Sequence, residues 1–179
     1  MALKSTVFKA SLNVADMDRH IYDDYNLTIA RHPSETDERM MLRVLAYALH
    51  SHELLEFGKG ISTEDEPDLW LRSLSGEIDI WIDLGTPTDR RLRKACGRSK
   101  EVLLYCYGGR AASIWWNKNR DQLARLRNLR IYEIDEEATL ALAALASANM
   151  ALQCTVQDGE IMVSTATGEQ VLVTPRLLN

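Results

Sequence analysis

Three carboxylates and one lysine of this 179-residue chain stand where they can act together. Glu38 lies on a predicted helix, Asp68 at the start of a predicted strand, and Asp83 near the end of the next strand. If the two strands pair as a hairpin and the helix covers one face of it, the three carboxylates meet. Three hard oxygen donors at one point favour Mg²⁺ or Mn²⁺ over zinc.

A divalent ion held in this way polarises a phosphodiester and lowers the pKa of a bound water molecule. Lys94, on the helix that follows Asp83, is placed to hold the attacking hydroxide and to neutralise developing charge. The same predicted helix carries three arginines that can contact phosphate groups: Arg90, Arg91 and Arg93. The predicted chemistry is therefore metal-dependent hydrolysis of a phosphodiester.

Each of these residues also has a plainer interpretation. Glu38 can cap its helix or pair with a nearby arginine. The arginines in question are Arg31, Arg39 and Arg43. Asp68 is the last acid of the acidic loop 64–68, and Asp83 precedes a helix, where aspartate is common in turns. The basic helix face 90–94 is ordinarily a solvated surface. Pattern alone leaves both interpretations open.

Two other patterns are assigned to structure rather than to function. Trp115 and Trp116 fit a helix face that packs into the core better than a platform for stacking bases. His50 and His52 stand near a predicted helix end without a third and fourth metal ligand, so a favourable contact with the helix dipole is the simpler interpretation.

The composition is that of an ordinary globular protein, with 46% hydrophobic and 26% charged residues. The formal net charge of −5 excludes a strongly basic nucleic-acid coat, although it allows a local basic patch. No secretory signal is apparent at the N-terminus, and the longest apolar stretch, 138–152, is too short and too interrupted to span a bilayer. Three widely spaced cysteines are typical of reduced thiols. We therefore expect a cytoplasmic protein with no membrane segment.

The elements that must position the carboxylates lie between residues 34 and 107. Helical spacing of apolar residues predicts helices over 34–50 and 86–97. Residues 77–84 alternate between apolar and polar types, which predicts a strand that pairs with 68–72 as a hairpin. The run 102–107 is apolar on both faces and predicts a central strand. With a short extended segment at 53–61, the order is helix, strand, strand, strand, helix, strand.

The flanking segments add strands at both ends of the chain. Residues 5–14 and 20–31 predict an N-terminal hairpin, and the turns at Asp158-Gly159 and Thr167-Gly168 predict a C-terminal meander. Between these, helices are predicted over 111–127 and 136–148, and a strand over 129–134. The predicted fold class is α/β or α+β, in which helices flank a mixed β-sheet and additional N- and C-terminal β-strands are present, all within one domain, 1–179.

Along nearly its whole length the sequence resembles the YaeQ family. The matching residues are Ala30 to Thr36, Glu38 to Met41, Asp65-Glu66-Pro67, Trp81 to Gly85, Lys94-Ala95-Cys96, Ile114-Trp115-Trp116 and Gln157-Asp158-Gly159. That family looks like a variant of the PD-(D/E)xK nuclease superfamily. The restriction-endonuclease-like core of this superfamily has the element order found here over 34–107.

The resemblance implies roles for the three carboxylates. Pro67 and Asp68 would be the PD element, Asp83 the second acid, and Glu38 an accessory acid on the helix. In the motif a lysine stands two residues after the second acid, but Gly85 occupies that position here. Some members of the superfamily move the lysine to the neighbouring helix, and by that resemblance Lys94 is the substitute.

Two main functional hypotheses follow. In the first, the protein is a nuclease that cleaves nucleic acid with Mg²⁺ or Mn²⁺ bound by Glu38, Asp68 and Asp83. In the second, it is a catalytically inactive nuclease-fold module that binds nucleic acid or a protein partner, which the acidic pI of about 5.4 and the missing motif lysine favour. A third hypothesis is a purely structural protein whose carboxylates pair with neighbouring arginines.

Overall fold

The fold is mixed α/β, as predicted, with added strands at both ends of the chain. The computed structural model describes residues 4–59 and 64–179, and within them two mixed β-sheets and four helices are present. The chain divides into two compact units. Unit 1 consists of Met1–Ser51 and Glu137–Thr174, and unit 2 of His52–Glu136 and Pro175–Asn179.

Unit 1 is built on a five-stranded sheet of order β10-β9-β8-β1-β2. Strands β1 and β8 are parallel and the other neighbours are antiparallel. The strands are β1 (Thr6–Asp16), β2 (Ile21–Arg31), β8 (Asn149–Gln157), β9 (Glu160–Thr165) and β10 (Gln170–Val173). From Phe8 onward, the even-numbered residues of β1 are buried and the others are largely exposed, because successive side chains of a strand point to opposite faces. The predicted N-terminal hairpin and C-terminal meander are therefore confirmed.

The helices of unit 1 are α1 (Asp37–Leu49) and α4 (Glu136–Ala143), whose first residue belongs to unit 2. The side chain of Thr36 caps α1 by accepting a hydrogen bond from the backbone N–H of Arg39. Residues 40–48 of α1 are buried on nearly every side, more than an amphipathic stripe requires. Helix α4 ends at Ala143, five residues before the predicted end.

Unit 2 is built on a six-stranded sheet of order β11-β7-β6-β5-β4-β3. Strands β5, β6 and β7 are parallel to one another, and the remaining neighbours are antiparallel. The elements are β3 (Leu55–Phe57), β4 (Leu69–Arg72), β5 (Ile78–Leu84), α2 (Asp89–Arg98), β6 (Ser99–Cys106), α3 (Arg110–Leu123), β7 (Leu129–Glu133) and β11 (Arg176–Leu177). The predicted order of elements over 34–107 is confirmed. The end of the predicted extended segment, Gly60 and Ile61, lies outside the described residues.

Helices α2 and α3 pack on one face of the second sheet. Buried side chains of both helices, such as Leu92 and Leu123, join Trp81 of β5 and Leu104 of β6 in one hydrophobic cluster. Both helices lie on this face because right-handed crossovers connect three successive parallel strands in the order β5, β6, β7. The α2–α3 layer therefore covers the face of the sheet on which Asp83 also stands.

The three cysteines are free thiols, and burial raises the pKa of Cys106 and Cys154 to about 12 and that of Cys96 to about 11. They are therefore protonated and weakly reactive at neutral pH. Across the residues that the structure describes, no helix has the length and apolar character needed to cross a membrane.

Candidate functional site

Asp68 and Asp83 are neighbours on adjacent strands, as the hairpin prediction required. Asp68 directly precedes β4, whose first residue, Leu69, pairs with Ile82 of β5, the residue before Asp83. The backbone N–H of Asp68 donates to the carbonyl of Ile82 at 3.0 Å. A carboxylate oxygen of Asp68 accepts from the backbone N–H of Leu84 at 2.8 Å. The two acids therefore lie beside each other where β4 begins and β5 ends.

Arg91 of α2 occupies both oxygens of the Asp83 carboxylate. Its Nε donates to Oδ2 at 2.8 Å and its Nη2 donates to Oδ1 at 3.0 Å. This is a two-point pairing between a planar guanidinium and a carboxylate, the geometry that gives arginine ion pairs their strength and direction. The Asp83 side chain is only 2% exposed and that of Arg91 is 25% exposed. The strand-end carboxylate is therefore neutralised from within the protein.

The same guanidinium also binds the acidic loop. Arg91 donates from Nη1 to the carbonyl of Glu64 at 3.0 Å and from Nη2 to that of Glu66 at 2.8 Å. Helix α2 adds a surface contact, in which the ammonium of Lys94 lies 2.6 Å from Asp65. The hydrogen bond and charge of Lys94 lower the pKa of Asp65. Arg91 thus links strand β5, helix α2 and the acidic loop.

The backbone at Gly85 disfavours any residue with a side chain at this position. Gly85 has φ of +94°, a conformation that residues with a Cβ rarely adopt, and its N–H donates to the carbonyl of Tyr105 at 2.9 Å. This turn ends β5 directly after Leu84 and leads the chain toward α2. A lysine at position 85 would require a strained backbone.

Glu38 lies in the first turn of α1, in unit 1, whereas Asp68 and Asp83 belong to unit 2. The Glu38 side chain is partly exposed and forms no ion pair with a residue that the structure describes. Glu35, which the sequence analysis did not single out, is the buried acid of this region. It forms ion pairs with Arg39 and Arg43. Sequence reasoning missed Glu35 because it precedes the helix, although its spacing of four and eight residues from the two arginines was a usable signal.

The two carboxylates of unit 2 that were predicted to bind a divalent cation, Asp68 and Asp83, already have hydrogen-bond partners within the protein. Both oxygens of Asp83 pair with Arg91, and one oxygen of Asp68 already accepts from the Leu84 N–H. Lys94, assigned to the attacking hydroxide, pairs instead with Asp65. Over residues 4–59 and 64–179, no group of three or more His, Cys, Asp or Glu is arranged to hold a metal ion. A divalent cation at Asp83 would share this carboxylate with the guanidinium of Arg91 or compete with it.

A cationic cavity opens beside this ion pair, at the start of α2. The described residues that line it are Glu64, Thr88, Arg90, Arg91 and Lys94. Arg90 is exposed and forms no ion pair or side-chain hydrogen bond with any described residue. Arg93, by contrast, pairs with Asp89 at 2.8 Å and lines a different cavity, between α2 and α3. The three arginines assigned to phosphate contacts therefore have three different surroundings.

The comparisons with known proteins agree on one family. The family described as YaeQ protein matches residues 1–174. The YaeQ protein of Escherichia coli (strain K12) is 48% identical over 164 residues, which cover 92% of this chain and 91% of that protein. The YaeQ protein of Salmonella typhi is 48% identical over 166 residues, which cover 93% of this chain and 92% of that protein.

Solved structures give the same result. The crystal structure of the YaeQ protein from Xanthomonas axonopodis pv. citri matches with a TM-score of 0.93 and 48% identity, covering 97% of each chain. That of the YaeQ protein from Pseudomonas syringae matches with a TM-score of 0.93 and 35% identity, covering 98% of this chain and 96% of the other. On sequence and on structure, this chain belongs to the YaeQ family.

Proposed function

We propose that this protein binds nucleic acid through unit 2 and holds backbone phosphates in the cationic cavity at the start of α2, without cleaving them. The observation that carries the proposal is the pairing of Asp83 with Arg91. It converts a strand end that would attract a metal cation into one that presents positive charge. In this proposal unit 2 is a variant PD-(D/E)xK core in which a guanidinium stands where the superfamily holds a metal.

The distribution of charge supports a polyanionic ligand. Unit 2 contains 15 of the 21 Lys and Arg residues of the chain and has no net charge, whereas unit 1 contains 6 of them and carries the whole net charge of −5. The overall acidity therefore comes from unit 1 and does not argue against phosphate binding by unit 2. Favourable contacts with phosphates depend on the local field, which the cations around the cavity supply.

Two residues of the cavity are free to meet a phosphate. Among residues 4–59 and 64–179, Arg90 has no ion-pair partner, and Lys94 has only the exposed pair with Asp65. Exposed pairs of this kind contribute little to stability, so a phosphate can take the place of Asp65 at small cost. Arg91 has a positioning role, because its hydrogen bonds hold Asp83 and the acidic loop beside the cavity.

Fluorescence anisotropy with labelled 24-nucleotide DNA and RNA, in EDTA, tests this proposal. We expect wild-type protein to bind and the variant Arg90→Gln/Lys94→Gln to bind about tenfold more weakly, because two phosphate contacts are lost. The matched control is Arg72→Gln/Lys100→Gln, which removes two exposed, paired cations of the same unit. Equal affinity of wild type and Arg90→Gln/Lys94→Gln, or no binding by wild type, would overturn the proposal.

The nuclease remains the second candidate, because Asp68 and Asp83 stand side by side on adjacent strands. It requires Arg91 to leave Asp83, after which Asp68 and Asp83 would hold Mg²⁺ or Mn²⁺ and Lys94 would contact the attacking hydroxide. The test is to incubate nucleic acid with the protein and Mg²⁺ or Mn²⁺. Cleavage that Asp83→Asn abolishes would establish the nuclease, whereas intact nucleic acid in every reaction agrees with the binding function.

A further inference from the structure

Six of the eight basic side chains without a partner in the described part of the chain lie in or directly after the α2–α3 layer of unit 2. Among the residues that the structure describes, two cations of this kind, Lys4 and Lys9, belong to unit 1. The rest lie on α2, on α3 or in the turn after α3: Arg90, Arg110, Lys118, Arg120, Arg125 and Arg127. The other lysines and arginines of the chain have a carboxylate or a backbone carbonyl partner. The stability of the fold does not explain why these unpartnered cations are concentrated on α2, on α3 and in the turn after α3.

We name the five cations beyond α2 the α3 cationic surface. They are Arg110, Lys118, Arg120, Arg125 and Arg127, and each is exposed. The segment 110–130 contains six Lys and Arg residues but a single acid, Asp121. The inner side of α3 is apolar, because Ala112 and Leu123 are buried against the sheet. The surface is therefore the solvent side of a helix that is firmly attached to its sheet.

The α3 cationic surface is continuous with α2 within unit 2. The indole N–H of Trp115 donates to the carbonyl of Pro87 at 2.8 Å, which ties α3 to the segment that leads into α2. A groove between the two helices is lined by Asp89 and Arg93 of α2, which pair with each other, and by Asp121 of α3 and Arg125 of the turn after it. An extended ligand that binds at the start of α2 can therefore continue across the groove onto α3.

The chemistry of the surface fits a chain of phosphates better than an acidic protein. Four of its five cations are arginines, whose planar guanidinium matches a phosphate at two points. Protein interfaces depend on a buried apolar centre. The described part of α3 offers one large exposed apolar side chain, Ile114, and no cluster of them. Nucleic-acid interfaces are polar and positively charged, and contacts with the phosphate backbone supply much of their affinity.

We infer that the α3 cationic surface is a second phosphate-contacting surface, which binds a nucleic-acid strand that extends beyond the cavity at the start of α2. This inference rests on the proposed function and assigns a surface to it. A short oligonucleotide fills the cavity alone, whereas a longer one reaches α3. Affinity therefore rises with oligonucleotide length because of residues on α3.

The test compares labelled oligonucleotides of 6 and 24 nucleotides by fluorescence anisotropy. The variant Arg120→Gln/Arg125→Gln removes two cations of the surface, and Lys4→Gln/Lys9→Gln removes two unpartnered cations of unit 1 as the matched control. All four residues are exposed, so both variants are expected to fold, which circular dichroism and thermal unfolding verify. We expect the α3 variant to bind the 24-mer about tenfold more weakly and the 6-mer unchanged, and the control to match wild type.

Three results would overturn the inference, each in a different way. If the α3 variant binds the 24-mer as tightly as wild type, while Arg90→Gln/Lys94→Gln binds it more weakly, the inference is wrong and the proposed function stands. Absence of any binding by wild type would remove both. Competition by poly-glutamate as effective as that by unlabelled 24-mer would show that the surface takes an acidic protein instead of a nucleic acid.

Discussion

Both oxygens of the Asp83 carboxylate accept hydrogen bonds from the guanidinium of Arg91, at 2.8 and 3.0 Å. The pair joins the end of β5 to the first turn of α2, and Arg91 extends it to the carbonyls of Glu64 and Glu66. The Asp83–Arg91 pair therefore determines the local structure and the charge at this edge of unit 2. It pairs each oxygen of Asp83 with a cationic donor.

Removal of the Asp83 charge is expected to destabilise the protein. Asp83→Asn keeps the size of the side chain but removes the charge partner of Arg91. The Arg91 side chain is three-quarters buried. Breaking a buried ion pair in this way typically costs about 3 kcal/mol in the free energy of unfolding. Urea unfolding of Asp83→Asn, Arg91→Gln and the double variant gives the coupling energy between the two residues.

The control for this cycle is Glu77→Gln, which removes an exposed carboxylate 3.2 Å from Lys100. Its effect on the free energy of unfolding is expected to lie below about 1 kcal/mol. A cost for Asp83→Asn no larger than that of the control would contradict the structural role assigned to the pair.

A lysine introduced at position 85 is expected to destabilise the protein and not to create cleavage activity. Gly85→Lys introduces a Cβ at φ of +94°, which costs roughly 1–2 kcal/mol of stability. The added lysine is not expected to create metal-dependent cleavage, because Asp83 stays paired with Arg91. Thermal unfolding and a cleavage assay measure the two effects separately.

Gly97→Ala is the matched glycine control. Gly97 lies inside α2 with an ordinary negative φ, and a Cβ there meets open space. Alanine is expected to stabilise the helix by about 0.5–1 kcal/mol. Equal effects of Gly85→Lys and Gly97→Ala would show that the backbone at position 85 tolerates side chains.

Glu35 and Glu38 are expected to differ sharply in their contribution to stability. The Glu35 side chain is 1% exposed and pairs with Arg43, which is 3% exposed, so Glu35→Gln is expected to cost about 3 kcal/mol. Glu38 is partly exposed and has no ion pair in the described structure, so Glu38→Gln is expected to change stability by less than about 0.5 kcal/mol. Chemical denaturation of the two variants measures both, and similar costs would argue against the assignment of Glu35 as the buried acid.

His50 makes stability depend on pH. Burial, together with the nearby charge of Arg19, lowers the pKa of His50 from 6.5 to about 4, although Asp16 opposes the shift. Below pH 6.5 the unfolded chain takes up a proton that the folded protein does not, so the free energy of unfolding falls as the pH falls toward 4. The expected loss over this range is about 3 kcal/mol.

Urea unfolding between pH 7 and pH 4 checks this prediction. His50→Gln removes the group and should flatten the dependence within that window, apart from the contributions of other groups. The matched control is His52→Gln, at an exposed histidine two residues away. An unchanged slope in His50→Gln would show that another group is responsible.

The elements of the fold were predictable because each has its own local pattern. The alternation of Phe8, Ala10 and Leu12 defines β1, and the doubly apolar run that becomes β6 identifies a strand at the centre of its sheet. Strand β5 shows where this reasoning stops. Its alternation predicts one exposed face, yet residues 81–84 are all buried because α2 covers the second face. Strand β11, two residues long, carries no pattern of its own.

The candidate site was predictable only in part. The adjacency of Asp68 and Asp83 followed from the hairpin, because local pairing sets the register. The residue that pairs with Asp83 did not follow from the sequence. The choice among Arg90, Arg91 and Arg93 depends on the rotation of α2 about its axis. A shift of one residue along the helix turns the side chain by about 100°, which sends Arg90 to solvent and Arg91 onto Asp83.

The most direct test of the central claim is the salt dependence of nucleic-acid binding by wild type and by Arg90→Gln/Lys94→Gln. The affinity for a labelled 24-mer is measured in EDTA over a series of NaCl concentrations, and its logarithm is plotted against that of the salt concentration. The account predicts that the slope becomes shallower by about two in the variant, one unit for each lost phosphate contact. Identical slopes, or no binding by wild type at low salt, would contradict it.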